Sequence, residues 1–167
     1  MSFTRRDFSQ AAALAALFGG SWARSFAQAA GPAAPAAAQA LFTNFEDTQW
    51  QDVVPDYGPG GPKVCILHED PGTKATELMI RMPGDFHVPR HWHSANETHF
   101  LMQGSVIFEC DGRRAEQGPG SFNYIPAKSV HQAWSKPGDE AIAFITVDSA
   151  WDVNWVDGPP KPPKVAG

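Results

Sequence analysis

The apolar residues of this chain fall in short runs that turn-forming residues interrupt, and no stretch after residue 40 repeats with the period of a helix. The 167 residues include 15 Gly and 15 Pro, and most of these lie between the apolar runs. Glycine and proline are unfavourable inside regular helices, so their distribution argues against long helices and favours short strands. The sequence therefore predicts an all-β fold.

Eight segments have the length and composition of strands: 63–69, 74–82, 97–103, 105–110, 113–117, 120–125, 130–135 and 140–148. Between two of them, Asp111 and Gly112 predict a tight hairpin, because a type I′ turn needs residues that tolerate a positive φ at both central positions. Eight strands at this spacing are typical of a sandwich or barrel. We expect residues 151–155 to add an outer strand or to cover a sheet edge.

The N-terminus resembles a twin-arginine export signal, with Arg5 and Arg6 ahead of a mildly apolar run over 11–18 and a small-residue site at 27–29. The run is too short to span a membrane, so we expect a signal over 1–29, cleaved after Ala29. This predicts the Tat translocase as a partner and the periplasm as the destination. The alternative is an arbitrary alanine-rich amphipathic start.

The remaining chain has room for one domain of ordinary size. Residues 30–40 are rich in Ala and Pro and predict a linker, and 158–167 predict a disordered, Pro-rich tail. The folded unit is then 41–157. Its acidic balance, part of a formal net charge of -5 for the chain, argues against a nucleic-acid partner, because the phosphate backbone would repel it.

Five of the six histidines lie within 87–131. In a half-buried strand, residues two apart share a face, so we expect His91 and His93 to project to the same side. Glu97 follows after a short turn and can return a carboxylate to that face. Two imidazoles and one carboxylate predict a metal site; the alternative is a set of structural histidines.

Two motifs here resemble those of the cupin family. The first is Gly84-x6-His91-Trp92-His93-x3-Glu97-x6-Gly104, and the second is Gly120-x5-Pro126-x4-His131. The resemblance to small single-domain cupins implies a double-stranded β-helix, the jelly-roll barrel, and makes 41–157 a cupin domain. It also implies four metal ligands: His91, His93, Glu97 and His131. The chain departs from the second motif at Lys128, where the family normally has Gly, and at Ser135, where it has Asn.

Three imidazoles and one carboxylate suit one divalent transition metal, and an octahedral ion would keep two open positions for a small-molecule substrate. Zn, Ni and Cu are alternatives to Fe and Mn in such a site. We favour Fe or Mn, because folding in the cytoplasm before Tat export would avoid capture of copper and zinc.

Four further residues are candidates for the pocket. His99 lies two residues beyond Glu97 on the presumed inward face, where it would act as a catalytic acid or base or fill the barrel. Phe108 and Tyr124 are expected to line the cavity and contact substrate, or to pack in the core. Arg81 would clamp a substrate carboxylate if it points inward, or form a surface ion pair.

The resemblance favours a periplasmic metal-dependent enzyme, dioxygenase-like or another carbon-bond lyase or isomerase, acting on a small oxygenated organic substrate. The alternative is a non-catalytic module that binds a metal or small ligand. Trp92 and Trp134, which point away from the ligand face, are expected to pack under residues 148–157 or in a homodimer contact.

Overall fold

The computed structural model of the protein describes residues 39–138 and 140–163. The predicted signal over 1–29, most of the linker and residues 164–167 of the tail lie outside these ranges. The elements described here belong to one compact unit that begins at Leu41. No helix in the described part of the chain is long and apolar enough to cross a membrane.

Almost all regular structure in the described residues is strand. Two short 3-10 helices, Phe45–Asp47 and Pro55–Tyr57, lie near the start. The strands are β1 Gln51–Asp52, β2 Lys63–Glu69, β3 Thr76–Met82, β4 His87–Trp92, β5 Glu97–Gln103, β6 Val106–Cys110, β7 Arg113–Gln117, β8 Phe122–Ile125, β9 His131–Ser135, β10 Ala141–Val147 and β11 Asn154–Trp155.

The strands form two antiparallel sheets. One sheet has six strands in the order β1-β2-β3-β10-β5-β8, and the other has five in the order β11-β4-β9-β6-β7. The inner faces of both sheets meet in one apolar cluster that includes Leu78, Val106, Ala133 and Ile145. The all-β jelly-roll fold expected from the sequence is confirmed.

Each of the eight predicted strands is present, with ends shifted by no more than two residues. Asp111 and Gly112 have φ values of 50° and 72°, the positive values that a type I′ hairpin requires. Residues 154 and 155 pair with β4, so the C-terminal segment does add an outer strand.

β4 was not among the predicted strands. Its pairing with β9 is irregular between Val88 and His91, and Pro89, which has no backbone N–H, lies within the irregular stretch. The strand also ends at Trp92, so His93 lies in the turn that follows rather than on the strand shared with His91. Only the backbone assignment of His93 changes, because its ring still lies beside that of His91.

Gly104 directly follows β5 and begins the turn to β6, in a left-handed conformation with φ of 75°. A Cβ at this position would lie 2.5 Å from the backbone oxygen of Glu140 and 2.8 Å from Ala141 Cα. Both contacts are too short for any side chain, so only glycine allows the approach of this turn to β10.

Candidate metal centre

Three histidines meet on the inner face of the five-stranded sheet. His91 on β4 and His131 on β9 are direct cross-strand partners, and their ring centroids are 4.2 Å apart. The ring of His93 lies 5.0 Å from that of His91 and 5.2 Å from that of His131. All three are buried, and one nitrogen from each lies within 4.8 Å of the others, so the three could hold a metal ion.

Glu97 approaches the histidines from the opposite sheet. It is the first residue of β5 and is only 2% exposed. Its Oε2 atom lies 3.1 Å from His93 Nε2 and 3.7 Å from His131 Nε2. The structure thus brings together the four side chains that the cupin resemblance implied.

The outer nitrogens of the three histidines are already bonded. His91 Nδ1 donates to the Pro89 carbonyl at 2.7 Å, and His131 Nδ1 donates to the Ser129 carbonyl at 3.0 Å. His93 Nδ1 donates to the Asp152 carbonyl. An imidazole that donates from Nδ1 carries its lone pair on Nε2 when it is neutral, so three lone pairs face the interior.

Glu97 Oε2 is buried and has no hydrogen-bond partner among the described residues. It faces Nε2 atoms that, in neutral rings, are acceptors like itself. A buried group of acceptors without a donor is unfavourable unless a cation lies among them. The donor set of imidazole nitrogens and one carboxylate oxygen fits a divalent transition metal.

The ionisation of these groups follows from burial and mutual charge. Burial, helped by the neighbouring His131, lowers the pKa of His91 to about 3, and burial lowers the pKa of His131 to about 4. Burial of Glu97 opposes its ionisation, but the nearby His99 and His93 outweigh it and lower the Glu97 pKa to about 2. Burial likewise opposes protonation of His93, but the adjacent Glu97 carboxylate and Asp152 together outweigh it and raise the His93 pKa. Among His91, His93 and His131, it is therefore His93 that is most readily protonated in the absence of a metal ion.

His99 on β5 lies beside this group. It is 7% exposed, and its Nε2 is 3.4 Å from Glu97 Oε2. Its Nδ1 lies 2.8 Å from the Oδ1 of Asn123, whose own amide donates to Gln117 Oε1 at 2.7 Å. Because the Asn123 amide is oriented by that second bond, its oxygen accepts from His99 Nδ1, and Nε2 of His99 is left facing Glu97.

Sequence reasoning missed Asn123 and Gln117. Asn123 is the cross-strand partner of His99 in the β5–β8 pair, and only that register brings the two together. A polar side chain within the predicted strand 120–125 was the available signal, but it did not identify its partner.

Of the two aromatic candidates, Phe108 lines the cavity and Tyr124 does not. The ring of Phe108 lies 5.0 Å from that of His99 and lines the same cavity. Tyr124 is not among the lining residues and is 53% exposed, because it pairs with Thr98 on the outward face of β5. The expected cavity position of Tyr124 is therefore corrected.

Arg81 also lies outside the cavity. Its neighbours Ile80 and Met82 line the cavity, and strand alternation directs Arg81 to the other face. There its guanidinium covers the ring of Trp50 at 4.4 Å, and its Nε lies 3.3 Å from Glu140 Oε1. This is the surface ion pair, and the substrate-clamp interpretation is not retained.

The C-terminal segment holds His93 in place. Besides its carbonyl bond to His93, Asp152 accepts hydrogen bonds from the backbone N of Ser94 at 2.8 Å and from its Oγ at 2.6 Å. Asp152 thus fixes both the ring of His93 and the turn that carries it. This role was not predicted from the sequence, since Asp152 lies 59 residues from His93.

The two departures from the second motif have structural explanations. Lys128 adopts φ of 66°, the left-handed conformation that glycine adopts freely, and its backbone N donates to the His93 carbonyl at 2.8 Å. Ser135 Oγ accepts from the Phe86 backbone at 2.9 Å and donates to the Pro83 carbonyl at 2.5 Å. A short hydroxyl side chain therefore ties the end of β9 to the turn before β4.

Trp134 packs on the outer face of the five-stranded sheet. His87 stacks on one side with centroids 4.7 Å apart, and the guanidinium of Arg114 lies 4.6 Å from the ring. The expected packing of Trp134 under residues 148–157 is thus replaced by a stack with His87 and Arg114. A homodimer stays a prediction.

Residues 77–148 match the family model described as the cupin domain. Together with the two-sheet barrel and the buried ligand cluster, this match shows that these residues form a cupin domain. No curated protein is significantly similar to the chain in sequence.

Solved structures share the fold at low identity. KdgF from Halomonas sp. is 18% identical with a TM-score of 0.55, and the match covers 66% of this chain and 94% of that one. The polyketide cyclase RemF from Streptomyces resistomycificus is 19% identical with a TM-score of 0.61, covering 74% and 90%. The DMSP lyase DddQ from Ruegeria pomeroyi DSS-3 is 19% identical with a TM-score of 0.52, covering 61% and 56%. At these identities the likeness is one of fold.

Proposed function

We propose that this protein is a metal-dependent cupin enzyme that acts on a small oxygenated organic substrate. The observation that carries the proposal is the unpartnered Glu97 Oε2 among the Nε2 atoms of His91, His93 and His131, at the wall of a cavity. A buried group of acceptors that converge on one point, next to space for a ligand, is the arrangement that a catalytic metal requires.

In this proposal, His91, His93, Glu97 and His131 hold one divalent transition metal, with Fe or Mn favoured over Zn, Ni and Cu. Such an ion would act as a Lewis acid on a substrate oxygen. The reaction would be dioxygenase-like or another carbon-bond lyase or isomerase reaction. A cyclase and a lyase among the structures of the same fold support an enzymatic function without identifying the reaction.

His99 is the candidate acid or base. Its Nδ1–H is held by Asn123, so proton exchange with a ligand would take place at Nε2, the atom that faces Glu97. The ring of Phe108 packs beside it and limits the access of water. His99 would thus hold a proton at a defined position beside the metal ligands.

The test compares His99→Phe with His131→Ala in the metal-loaded protein, using oxygen uptake and product formation with diketones, diols and oxalate. We expect His131→Ala to abolish metal binding and turnover, and His99→Phe to keep the metal while turnover falls about 100-fold to 10,000-fold. Unchanged turnover after His99→Phe would exclude His99 from catalysis. Spectral shifts of the bound metal on ligand addition, without product from any of these substrates, would favour the binding module.

We also propose that the chain is exported to the periplasm by the Tat translocase, on the basis of Arg5 and Arg6. Replacing both by Lys should keep the precursor in the cytoplasm. Mature protein in the periplasm of a strain that lacks the translocase would contradict this.

A further inference from the structure

The cavity beside the candidate metal centre has almost entirely apolar walls. The empty space in it and at its mouth is about 680 Å³. Apart from five ionisable side chains and the indole N–H of Trp151, its lining is aliphatic or aromatic and includes Leu101, Phe108, Ile145, Val153 and Trp155. Burying the apolar surface of a ligand against such walls favours binding.

The charge distribution in the cavity is one-sided. Within the described ranges, the ionisable side chains that line it are His91, His93, Glu97, His99 and His131, and these form one contiguous group. No lysine or arginine of the described residues lines the cavity. A ligand's charge away from this group would find no counter-ion.

Part of the apolar wall lies outside the family match. Val53, Pro62, Trp151, Val153 and Trp155 line the cavity, but the cupin model matches only residues 77–148. Trp155 pairs with His91 through β11, and its ring lies 5.2 Å from the His91 ring. The flanking segments therefore bring apolar surface to the candidate metal centre.

We propose that the ligand of this cavity is an uncharged, largely apolar molecule, aromatic or branched, with oxygen atoms at one end only. This inference rests on the proposed metal-dependent function, because the oxygen-bearing end of the ligand is placed at the candidate metal centre. A second charged group at the far end would be desolvated against hydrocarbon without a partner, which costs several kcal/mol. The cavity thus selects against polar acids that carry charge on the body of the molecule.

Two catechols test the proposal, because they share one chelating end and differ at the other. One is 4-tert-butylcatechol, and the other is 3,4-dihydroxybenzoate. Zinc-loaded protein is used, since zinc has no redox chemistry that would consume the probes. Isothermal titration calorimetry should show 4-tert-butylcatechol binding about tenfold more tightly or better, because its butyl group buries apolar surface. Equal binding, or tighter binding of the benzoate, would overturn the inference.

A metal-free control separates this inference from the proposed function. If both catechols bind zinc-loaded and metal-free protein equally, the metal-dependent function fails. If both need zinc but are not distinguished, only the ligand class fails.

A variant of the wall provides a second test. Val153 lines the cavity, whereas Val156, three residues further on, is 42% exposed and does not. Val153→Lys should bring the affinity for 3,4-dihydroxybenzoate up by about tenfold relative to Val156→Lys, since it places a cation in the wall. Equal affinity of the two folded variants for 3,4-dihydroxybenzoate would contradict the inference that the lack of a basic side chain in the wall decides selectivity.

Discussion

Glu97 Oε2 lies 3.1 Å from His93 Nε2, although Glu97 begins a strand of the six-stranded sheet and His93 follows a strand of the other. This contact is where the two sheets join at the candidate metal centre. Because His93 Nδ1 already donates to Asp152, the Nε2 atom that faces Glu97 carries a lone pair in the neutral ring and a proton in the charged ring. Either that proton or a metal ion bound at Nε2 would offset the charge of the Glu97 carboxylate.

Metal binding should release about one proton per ion at a pH of about 6. At that pH His91 and His131 are neutral and Glu97 is ionised, since their pKa values are lowered to about 3, 4 and 2. His93, with its raised pKa, is largely protonated and must lose its proton to bind. The affinity for the metal should consequently fall as the pH drops below the His93 pKa.

Calorimetry in buffers of different ionisation enthalpy measures this proton release. As a control, the release should vanish well above the His93 pKa. Release of no proton at a pH of about 6 would show that His93 is not the protonated ligand.

Asp152→Ala should weaken metal binding by about 10-fold to 100-fold. The substitution removes the acceptor of both Ser94 bonds and thereby frees the turn that carries His93. Asp157→Ala is the matched control, because Asp157 lies in the same segment but pairs with the exposed Arg90, at 3.6 Å, rather than with the turn that carries His93. Equal metal affinities of the two variants, measured by competition with a chelator, would exclude this positioning role.

Lys128→Gly should raise the free energy of unfolding by about 0.5–1 kcal/mol, measured by urea denaturation. Lys128 is left-handed in the folded protein, and glycine adopts that conformation with little strain. Lys161→Gly in the exposed C-terminal segment is the control for loss of a lysine side chain and should change little. A loss of stability specific to Lys128→Gly would mean that the side chain contributes more than its backbone conformation costs.

The sequence was sufficient for features that depend on local chemistry. The hairpin at Asp111 and Gly112 needs only two residues that tolerate positive φ, and the strand segments are marked by apolar runs between turn formers. The convergence of His91 and Glu97 was implied by the resemblance to the cupin motifs, although Glu97 approaches from the opposite sheet and not on the face of the His91 strand. The hairpin and the strand segments could be predicted because they do not depend on strand register.

Features that depend on register or on distant segments could not be predicted. Arg81 and Tyr124 were candidates for the cavity, but pairing between strands puts both on the outward face. Alternation within β3 did not decide the face of Arg81, because apolar residues lie on both sides of that strand. Asp152 and Asn123 become visible only when the chain is folded.

The most direct test of the metal centre is the metal content of purified wild-type protein, His131→Ala and His87→Ala, determined by mass spectrometry. His87 is the matched control, since it stacks on Trp134 outside the cluster. Circular dichroism should show that all three fold, because sheet packing rather than the ion stabilises the barrel. We predict about one metal ion per chain in wild type and His87→Ala, and a metal content at least about tenfold lower in His131→Ala. Equal metal content in His131→Ala and His87→Ala would contradict the assignment of His91, His93, Glu97 and His131 as a metal site.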